Sequence, residues 1–143
     1  MDPELIFHLP SDVLRIEDAV EKVVARCHRI IELERRASRV RMNLRVALAE
    51  ALSNAMLYGN GADRSKRVRV ELTITAKAII TRVTDEGPGF DYEDIPDPTT
   101  PESLLKPDGR GIFLMRKLLD EVSFNERGNS VTLLLRRDQV RRE

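Results

Sequence analysis

The chain has 143 residues, of which 24 are basic and 24 acidic, so its formal net charge is zero. A chain of this length buries enough surface for one hydrophobic core and too little for two, which predicts a single domain over residues 1–143. Zero net charge provides no general attraction for nucleic acid, so we expect no direct nucleic-acid partner.

Membrane insertion and disulfide formation are not expected. The chain has no run near eighteen consecutive apolar residues, and its N-terminus has no basic segment ahead of an apolar run. Cys27 is the only cysteine, which excludes a disulfide within the chain. These features predict a cytoplasmic protein without a membrane partner.

The N-terminal region is predicted to form a strand and then a helix. Leu5 to Leu9 suggests a short strand, and Ser11 is the expected cap of the helix. Apolar residues follow at a spacing of three or four, which predicts a helix that packs on a sheet or on another helix and leaves open a dimer contact: Val13, Ile16, Val20, Val23, Cys27 and Ile30. Cys27 is therefore interpreted as a buried thiol.

A second helix carries two polar residues in an apolar setting. Its buried stripe is predicted to consist of Leu44, Ala47, Leu48, Ala51, Leu52, Ala55 and Met56. Glu50 and Asn54 lie one turn apart on the flank of that stripe. One interpretation is that Glu50 pairs with an arginine at the helix edge. The other is a site in which the Asn54 amide oxygen binds Mg²⁺ and the Glu50 carboxylate accepts a proton.

Two strands and a glycine-rich turn come next. Alternation from Val68 to Ile74 predicts a strand with one solvent-exposed face, so helices should cover only the other face. In the strand from Ala78 to Thr84, Asp85 continues the face that carries the apolar residues. A carboxylate directed toward a core needs a hydrogen-bond donor, and the exocyclic amine of adenine is one. Gly87 and Gly89 allow the backbone to turn sharply and approach a ligand.

The segment from Asp91 to Asp108 is the one long irregular stretch. Four prolines and six acidic residues argue against a continuous helix or strand there. A plain surface loop is one interpretation. Its place between two glycine pairs favours the other, a lid over a nucleotide at about residues 91–108.

The second glycine pair precedes an apolar helical run, Ile112 to Leu119. Phosphate oxygens are expected on free backbone amides at the start of that helix, with Gly109 and Gly111 permitting close approach and Arg110 adding positive charge. A hairpin is predicted last, with strands at Val122–Phe124 and Val131–Leu135 around a turn at Gly128.

Three stretches, taken in order, resemble the N, G1 and G2 boxes of the GHKL ATPase superfamily: Glu50 to Ala55, Asp85 to Phe90, and Gly109 to Met115. Within that superfamily the short chain and the segment from Asp97 to Leu105 are most similar to the RsbW-like anti-sigma-factor serine/threonine kinases. The resemblance runs from about Leu5 to Leu135. It implies an α+β fold, the Bergerat two-layer sandwich, with a mixed and mostly antiparallel sheet and helices on one face.

The resemblance also implies a role for each matching residue. Glu50 corresponds to the general base, Asn54 to the magnesium ligand and Asp85 to the carboxylate that recognises adenine. The residues beside the nucleotide and its phosphates correspond to Gly87, Gly89, Gly109, Arg110 and Gly111. Thr132 corresponds by position to a threonine that is often near the adenine.

Two residues depart from the superfamily pattern. Phe113 stands where the G2 box often has a third glycine, and Tyr58 stands where a histidine often follows the N box. The first departure suggests different contacts between the loop and the phosphates. Neither removes the base, the metal ligand or the adenine contact.

The function implied by the resemblance is that of an anti-sigma factor and protein kinase. Such a protein binds Mg-ATP or ADP, phosphorylates a serine or threonine of an anti-sigma-factor antagonist of the STAS type, and sequesters a sigma factor as a homodimer. The alternative is a nucleotide-gated binding module, or a switch kinase that regulates another partner, for example a phosphatase, without binding a sigma factor.

Overall fold

The computed structural model describes residues 2–89 and 107–137, with side chains at all of these positions except 107–109. Within these ranges the strands are β1 (Leu5–Pro10), β2 (Arg67–Ile74), β3 (Ala78–Thr84), β4 (Glu121–Phe124) and β5 (Ser130–Arg136). The α-helices are α1 (Ile16–Glu32), α2 (Ala37–Asn54) and α3 (Pro107–Leu118). A 3₁₀ turn, Val13–Arg15, precedes α1, and a π-helical turn, Ala55–Gly59, continues α2.

The five strands form one open sheet in the order β1-β2-β3-β5-β4. Each of the four pairings in the described ranges is antiparallel, and the register places Val70 opposite both Phe7 and Val83. The expected α+β fold class is confirmed. Because β3 and β5 are antiparallel neighbours, the C-terminal end of β3 lies beside the N-terminal end of β5, where Thr84 is opposite Ser130.

The two faces of the sheet have different environments. Along β2, Val68, Val70 and Leu72 are fully buried, while Arg67 and Arg69 are exposed. Side chains alternate along a strand, so the buried set lies on the face that the helices cover and the arginines lie on the open face. The prediction that helices cover only one side is confirmed.

The helices bury the stripes that their apolar spacing predicts. All seven residues of the stripe predicted for the second helix, from Leu44 to Met56, are buried in α2 and its π turn. On α1, Val20, Val23 and Cys27 are buried in the same core, whereas Val13 lies in the 3₁₀ turn and is 47% exposed. Burial raises the pKa of the Cys27 thiol to about 11, because an apolar setting disfavours the thiolate.

The start of the first helix differs from the prediction. Asp12, not Ser11, is the capping residue: its carboxylate accepts the Leu14 N–H at 3.1 Å and so caps the 3₁₀ turn. Ser11 is buried, and its hydroxyl donates to the Lys66 carbonyl at 2.8 Å. A buried hydroxyl bonds where a partner is available, and here the partner belongs to a segment 55 residues away in sequence.

The third helix begins earlier than the prediction. It starts at Pro107, within the range assigned to the lid, and Gly109 and Gly111 therefore lie inside it. Proline suits a first helical turn because it has no N–H to leave unpaired. The rest of the predicted lid, residues 91–106, lies outside the described residues. No helix in the part of the chain that the structure describes is long and apolar enough to span a membrane.

Candidate nucleotide-binding site

A cleft opens between the C-terminal half of α2, the start of α3 and the loops that follow β3 and β4. Its free space is about 590 Å³, part of which is open to solvent. The described residues that line the cleft are Ala51, Asn54, Ala55, Tyr58, Gly59, Val83, Asp85, Gly89, Ile112, Met115, Phe124, Gly128, Asn129, Ser130 and Val131.

At one end of the cleft, Glu50 and Asn54 meet helix α3. A Cβ placed on Gly111 would lie 3.0 Å from Glu50 Oε2 and 3.0 Å from Asn54 Nδ2. The bare Cα of Gly111 therefore lets α3 approach both polar groups closely, and any larger residue there would crowd them. The sequence prediction that these three residues come together is met by this geometry.

Neither Glu50 nor Asn54 has a side-chain hydrogen bond to another residue in the described ranges, and Glu50 forms no ion pair there. Both side chains are half-buried. The alternative interpretation, in which Glu50 pairs with an arginine at the helix edge, has no such pair among the described residues. A carboxylate and an amide left without partners at the edge of a cleft are available to a ligand.

Gly111 contributes through its missing side chain and not through a free amide. It lies in the second turn of α3, where backbone N–H groups bond to carbonyls four residues earlier in the helix. The expectation of a free Gly111 amide at the helix start is therefore wrong, because the helix begins at Pro107. Gly109 is in the first turn, where amides are free of that ladder, and the Arg110 side chain is exposed nearby.

Asp85 lies at the other end of the cleft, directly after β3. Burial raises the pKa of its carboxyl above the ordinary value, while the hydrogen bond from Gly87 and the positive charges of Arg127 and Lys66 oppose that shift. The Gly87 N–H donates to Oδ1 at 2.8 Å. Asn129 holds the Asp85 backbone, since the Asp85 N–H donates to the Asn129 carbonyl at 2.9 Å.

Gly59 and Gly87 lie close to this carboxylate, and Gly89 packs against the hairpin turn at Arg127. A Cβ on Gly59 would lie 2.2 Å from Asp85 Oδ2, and a Cβ on Gly87 would lie 1.8 Å from the Gly59 carbonyl oxygen. Gly89 has a φ of +87°, and a Cβ there would lie 1.9 Å from the Arg127 carbonyl oxygen. Gly87 and Gly89 were predicted from the turn pattern. Gly59 was missed, and only the Tyr-Gly-Asn sequence after the helix could have hinted at it.

Thr132 does not fit its predicted role as an adenine contact. The buried apolar residues of β5 are Val131, Leu133 and Leu135, and Ser130 at its start is buried as well. The alternation after Ser130 places Thr132 on the open side of the sheet, away from the cleft. There its hydroxyl accepts a hydrogen bond from the exposed Arg82 side chain at 3.5 Å. The alternation of apolar and polar residues along β5 already indicates that Thr132 faces the open side of the sheet. Correspondence by position in the family did not take this alternation into account.

The hairpin turn contributes to the cleft beyond what the sequence indicated. The Asn125 carbonyl oxygen Oδ1 accepts three backbone N–H bonds, from Gly128, Asn129 and Ser130, at 2.9, 3.0 and 3.1 Å. These bonds fix the shape of the turn itself, and the Arg127 side chain donates from the turn to the Pro88 carbonyl in the loop after β3 at 3.4 Å. Tyr58, on the π turn, also lines the cleft with half of its surface exposed.

The donor set suits a divalent cation that is held mainly by a nucleotide. No group of three or more His, Cys, Asp or Glu side chains in the described ranges could enclose a metal ion. Mg²⁺ binds through one or two protein oxygens together with waters and phosphate oxygens. The Asn54 amide, which has no side-chain partner among the described residues and lies next to Gly111, meets that requirement.

An open antiparallel sheet with helices on one face, and a cleft with a carboxylate at one end and an acid–amide pair at the other, define an ATPase-type nucleotide-binding domain. The chain belongs to the family of histidine kinase-like ATPase domains, which it matches over residues 9–135. The match includes every residue of the cleft.

Individual relatives have more specific names than the family. The chain is 30% identical over 89 residues to the serine-protein kinase RsbW of Oceanobacillus iheyensis, covering 58% of this chain and 56% of that protein. It is 31% identical over 107 residues to the RsbW of Bacillus licheniformis, covering 68% and 67%. It is 26% identical over 98 residues to the anti-sigma F factor of Clostridium perfringens, covering 66% and 70%.

Proposed function

We propose that this chain is an anti-sigma factor and serine/threonine protein kinase of the cytoplasm. In this proposal it binds Mg-ATP, transfers the γ-phosphoryl group to an antagonist protein of the STAS type, and sequesters a sigma factor as a homodimer. Relatives named serine-protein kinase and anti-sigma factor support the assignment. The matched stretch spans 56% of the RsbW of Oceanobacillus iheyensis.

The main observation behind the proposal is that the Glu50 carboxylate is half-buried without a partner among the described residues. It lies beside Asn54 and Gly111, and it forms neither a hydrogen bond nor an ion pair within the described ranges. A charge that is partly removed from water is normally paired when its role is structural. An unpaired carboxylate beside a cation ligand is instead suited to accept a proton from a substrate.

Each end of the cleft contributes one part of the reaction. Asp85 accepts a hydrogen bond from the adenine amine, which orients the nucleotide so that its phosphates extend toward α3. Asn54 would hold Mg²⁺, and the bound ion would supply neutralisation of negative charge on the phosphate oxygens. Glu50 accepts the proton of the acceptor's hydroxyl while that oxygen bonds to the γ-phosphorus, and ADP leaves as the bond to its β-phosphate oxygen breaks. Positioning supplies most of the remaining acceleration.

The proposal is tested by following the γ-phosphoryl group directly. The full chain is incubated with Mg²⁺, γ-labelled ATP and a recombinant STAS-type protein from the same organism, and label on that protein is measured. A second STAS sample has its candidate acceptor serine replaced by alanine. We expect label on the first sample, none on the second, and none on the first when Glu50→Gln replaces the wild-type chain.

Two other outcomes separate this proposal from its alternatives. Binding of Mg-ATP without transfer to any STAS-type protein from that organism, together with nucleotide-dependent capture of a partner, identifies a binding module. Transfer without retention of purified sigma factors on the immobilised chain identifies a kinase that regulates a different partner. Absence of Mg-ATP binding by calorimetry overturns the proposal altogether.

A further inference from the structure

Asn60 is a buried polar residue at which four segments of the chain meet. It follows the π turn of α2, and its side chain is almost fully enclosed, with 2% exposure. Its Oδ1 accepts the Glu86 N–H at 2.7 Å, and its Nδ2 donates to the Arg67 carbonyl at 3.1 Å and to the Ser11 hydroxyl at 2.9 Å. A backbone N–H can only donate and a carbonyl can only accept, so these partners fix the orientation of the amide.

These bonds close into a ring with the Glu86 side chain. The Glu86 N–H donates to Asn60, Asn60 donates to the Arg67 carbonyl, and the Arg67 N–H donates back to the Glu86 carboxylate. Glu86 is thereby held both by its backbone and by its side chain to the beginning of β2. Breaking either of the two Asn60 bonds leaves a buried or half-buried polar group without its partner, and that costs more than the bond itself contributes.

The ring lies directly behind the carboxylate proposed to recognise adenine. Glu86 is the residue after Asp85, and Gly59, the residue before Asn60, lies under Asp85 Oδ2. The Gly59 carbonyl also occupies the space that a Gly87 side chain would need. The backbone just before Asn60 and the backbone on either side of Glu86 are therefore packed together, and Gly59 and Asp85 line the cleft there.

We propose that Asn60 is a positioning residue that fixes the direction of the Asp85 carboxylate, and with it the preference of the cleft for a base that carries an amino group. This inference deepens the proposed function and rests on it. A hydrogen bond to a substrate amine depends on acceptor direction, and a half-buried acceptor that can swing away loses its discrimination. Asn60 acts through the Glu86 backbone and does not touch the nucleotide.

The test compares two nucleotides that differ at the group that Asp85 would recognise. ADP presents an amino group at that position of the base, and inosine diphosphate presents a carbonyl oxygen. Affinities of the full chain for each are measured by calorimetry with Mg²⁺ present, and the ratio of the two is the readout. We expect the wild-type chain to prefer ADP and Asn60→Ala to reduce that preference about tenfold, the equivalent of one well-placed hydrogen bond.

Ser11→Ala is the matched control. Ser11 is buried and bonds both Asn60 and the Lys66 carbonyl, so its loss destabilises the fold in the same region while leaving the bond between Asn60 and Glu86. We expect Ser11→Ala to lower the unfolding midpoint without changing the ratio of affinities. A second variant, Asn60→Asp, keeps an acceptor for the Glu86 N–H and is expected to keep more of the preference than Asn60→Ala.

Several results would overturn the inference. One is an unchanged ratio of the two affinities in Asn60→Ala, and another is an equal change of that ratio in Ser11→Ala. A third is a further loss of ADP preference when Asn60→Ala is added to Asp85→Asn, since a residue that acts only through Asp85 has no effect once Asp85 is replaced. If no Asn60 variant folds, the residue is a requirement of the fold and not of recognition. A wild-type chain that does not bind ADP, or that binds both nucleotides equally, instead overturns the proposed function, and this inference with it.

Discussion

Each end of the cleft has a half-buried carboxylate in or beside it, and the two differ in their hydrogen bonding. Asp85 is enclosed by Gly59 and Gly87, accepts the Gly87 N–H at 2.8 Å, and is followed by a backbone amide anchored on Asn60. Glu50 has no side-chain partner in the described part of the chain, and helix α3 passes close to it at the buried Gly111. We call the Asp85 end enclosed because its carboxylate is hydrogen-bonded, and the Glu50 end open because its carboxylate has no such bond among the described residues.

The difference corresponds to two kinds of chemistry. A group that recognises a ligand must keep one direction, so its neighbours hold it in place before the ligand arrives. A group that takes up a proton must be open to the substrate and must not be neutralised by a protein cation beforehand. The enclosed end is suited to binding and the open end to reaction, and substitutions at the two ends should separate affinity from rate.

The largest expected effect is on the rate at the open end. Glu50→Gln should lower phosphoryl transfer by about 10²- to 10⁴-fold, since the amide cannot accept the hydroxyl proton. Its affinity for Mg-ADP should stay within about twofold, because the removed charge contacts no group of the enclosed end. Single-turnover transfer and calorimetry measure the two quantities. Glu17→Gln, an exposed position on α1, is the control.

The next largest effect is on stability at the enclosed end. Gly87→Ala should lower the free energy of unfolding by about 3 kcal/mol, since the new Cβ would stand 1.8 Å from a backbone oxygen and the packed loop must move. Urea unfolding measures the change.

Gly61→Ala is the control for this prediction. Gly61 has a φ of +61° and no atom within 4 Å of an added Cβ, so the substitution should cost only about 1 kcal/mol. Equal costs at the two positions would contradict the tight packing of Gly87 beside Asp85, because Gly87 has no positive φ that could explain its cost.

A smaller effect is expected at the metal ligand. Asn54→Ala should remove the part of ATP affinity that depends on Mg²⁺, about tenfold, while affinity measured with a chelator present stays unchanged. Asn43→Ala is a matched control on the same helix, where the amide donates to the Leu118 carbonyl at 3.0 Å and lies away from the cleft. The same loss in both variants would mean that the helix contact, not the cation, determines affinity.

The smallest effect is a pH dependence of stability at Asp85. Folding raises the pKa of this carboxyl, so its contribution to stability is fully present below the unfolded pKa, about 3.9, and is lost as the pH rises through the folded pKa. Asp85→Asn does not titrate. The free energy of unfolding of Asp85→Asn, relative to the wild-type chain, should therefore increase between about pH 3.5 and pH 7. A constant difference over that range would contradict a buried, desolvated carboxyl.

The sequence predicts most of the site because the informative patterns are local. Apolar spacing in α2 places Glu50 and Asn54 one turn apart on its flank, and the alternation in β3 directs Asp85 to the covered face. The glycines after β3 indicate a close backbone approach. The same reasoning, applied to β5, would have placed Thr132 on the open face.

The amino-acid sequence by itself determined the elements, their order, and which residues of each face the core, since these depend on periodicities within a few residues. Tertiary structure alone decided that Gly111 lies against Glu50 and Asn54, that helix α3 begins at Pro107, and that Asn60 joins Ser11, Arg67 and Glu86. Those relations join segments far apart in the chain. Packing and hydrogen bonding across the whole core determine such contacts, and no local sequence pattern indicates them.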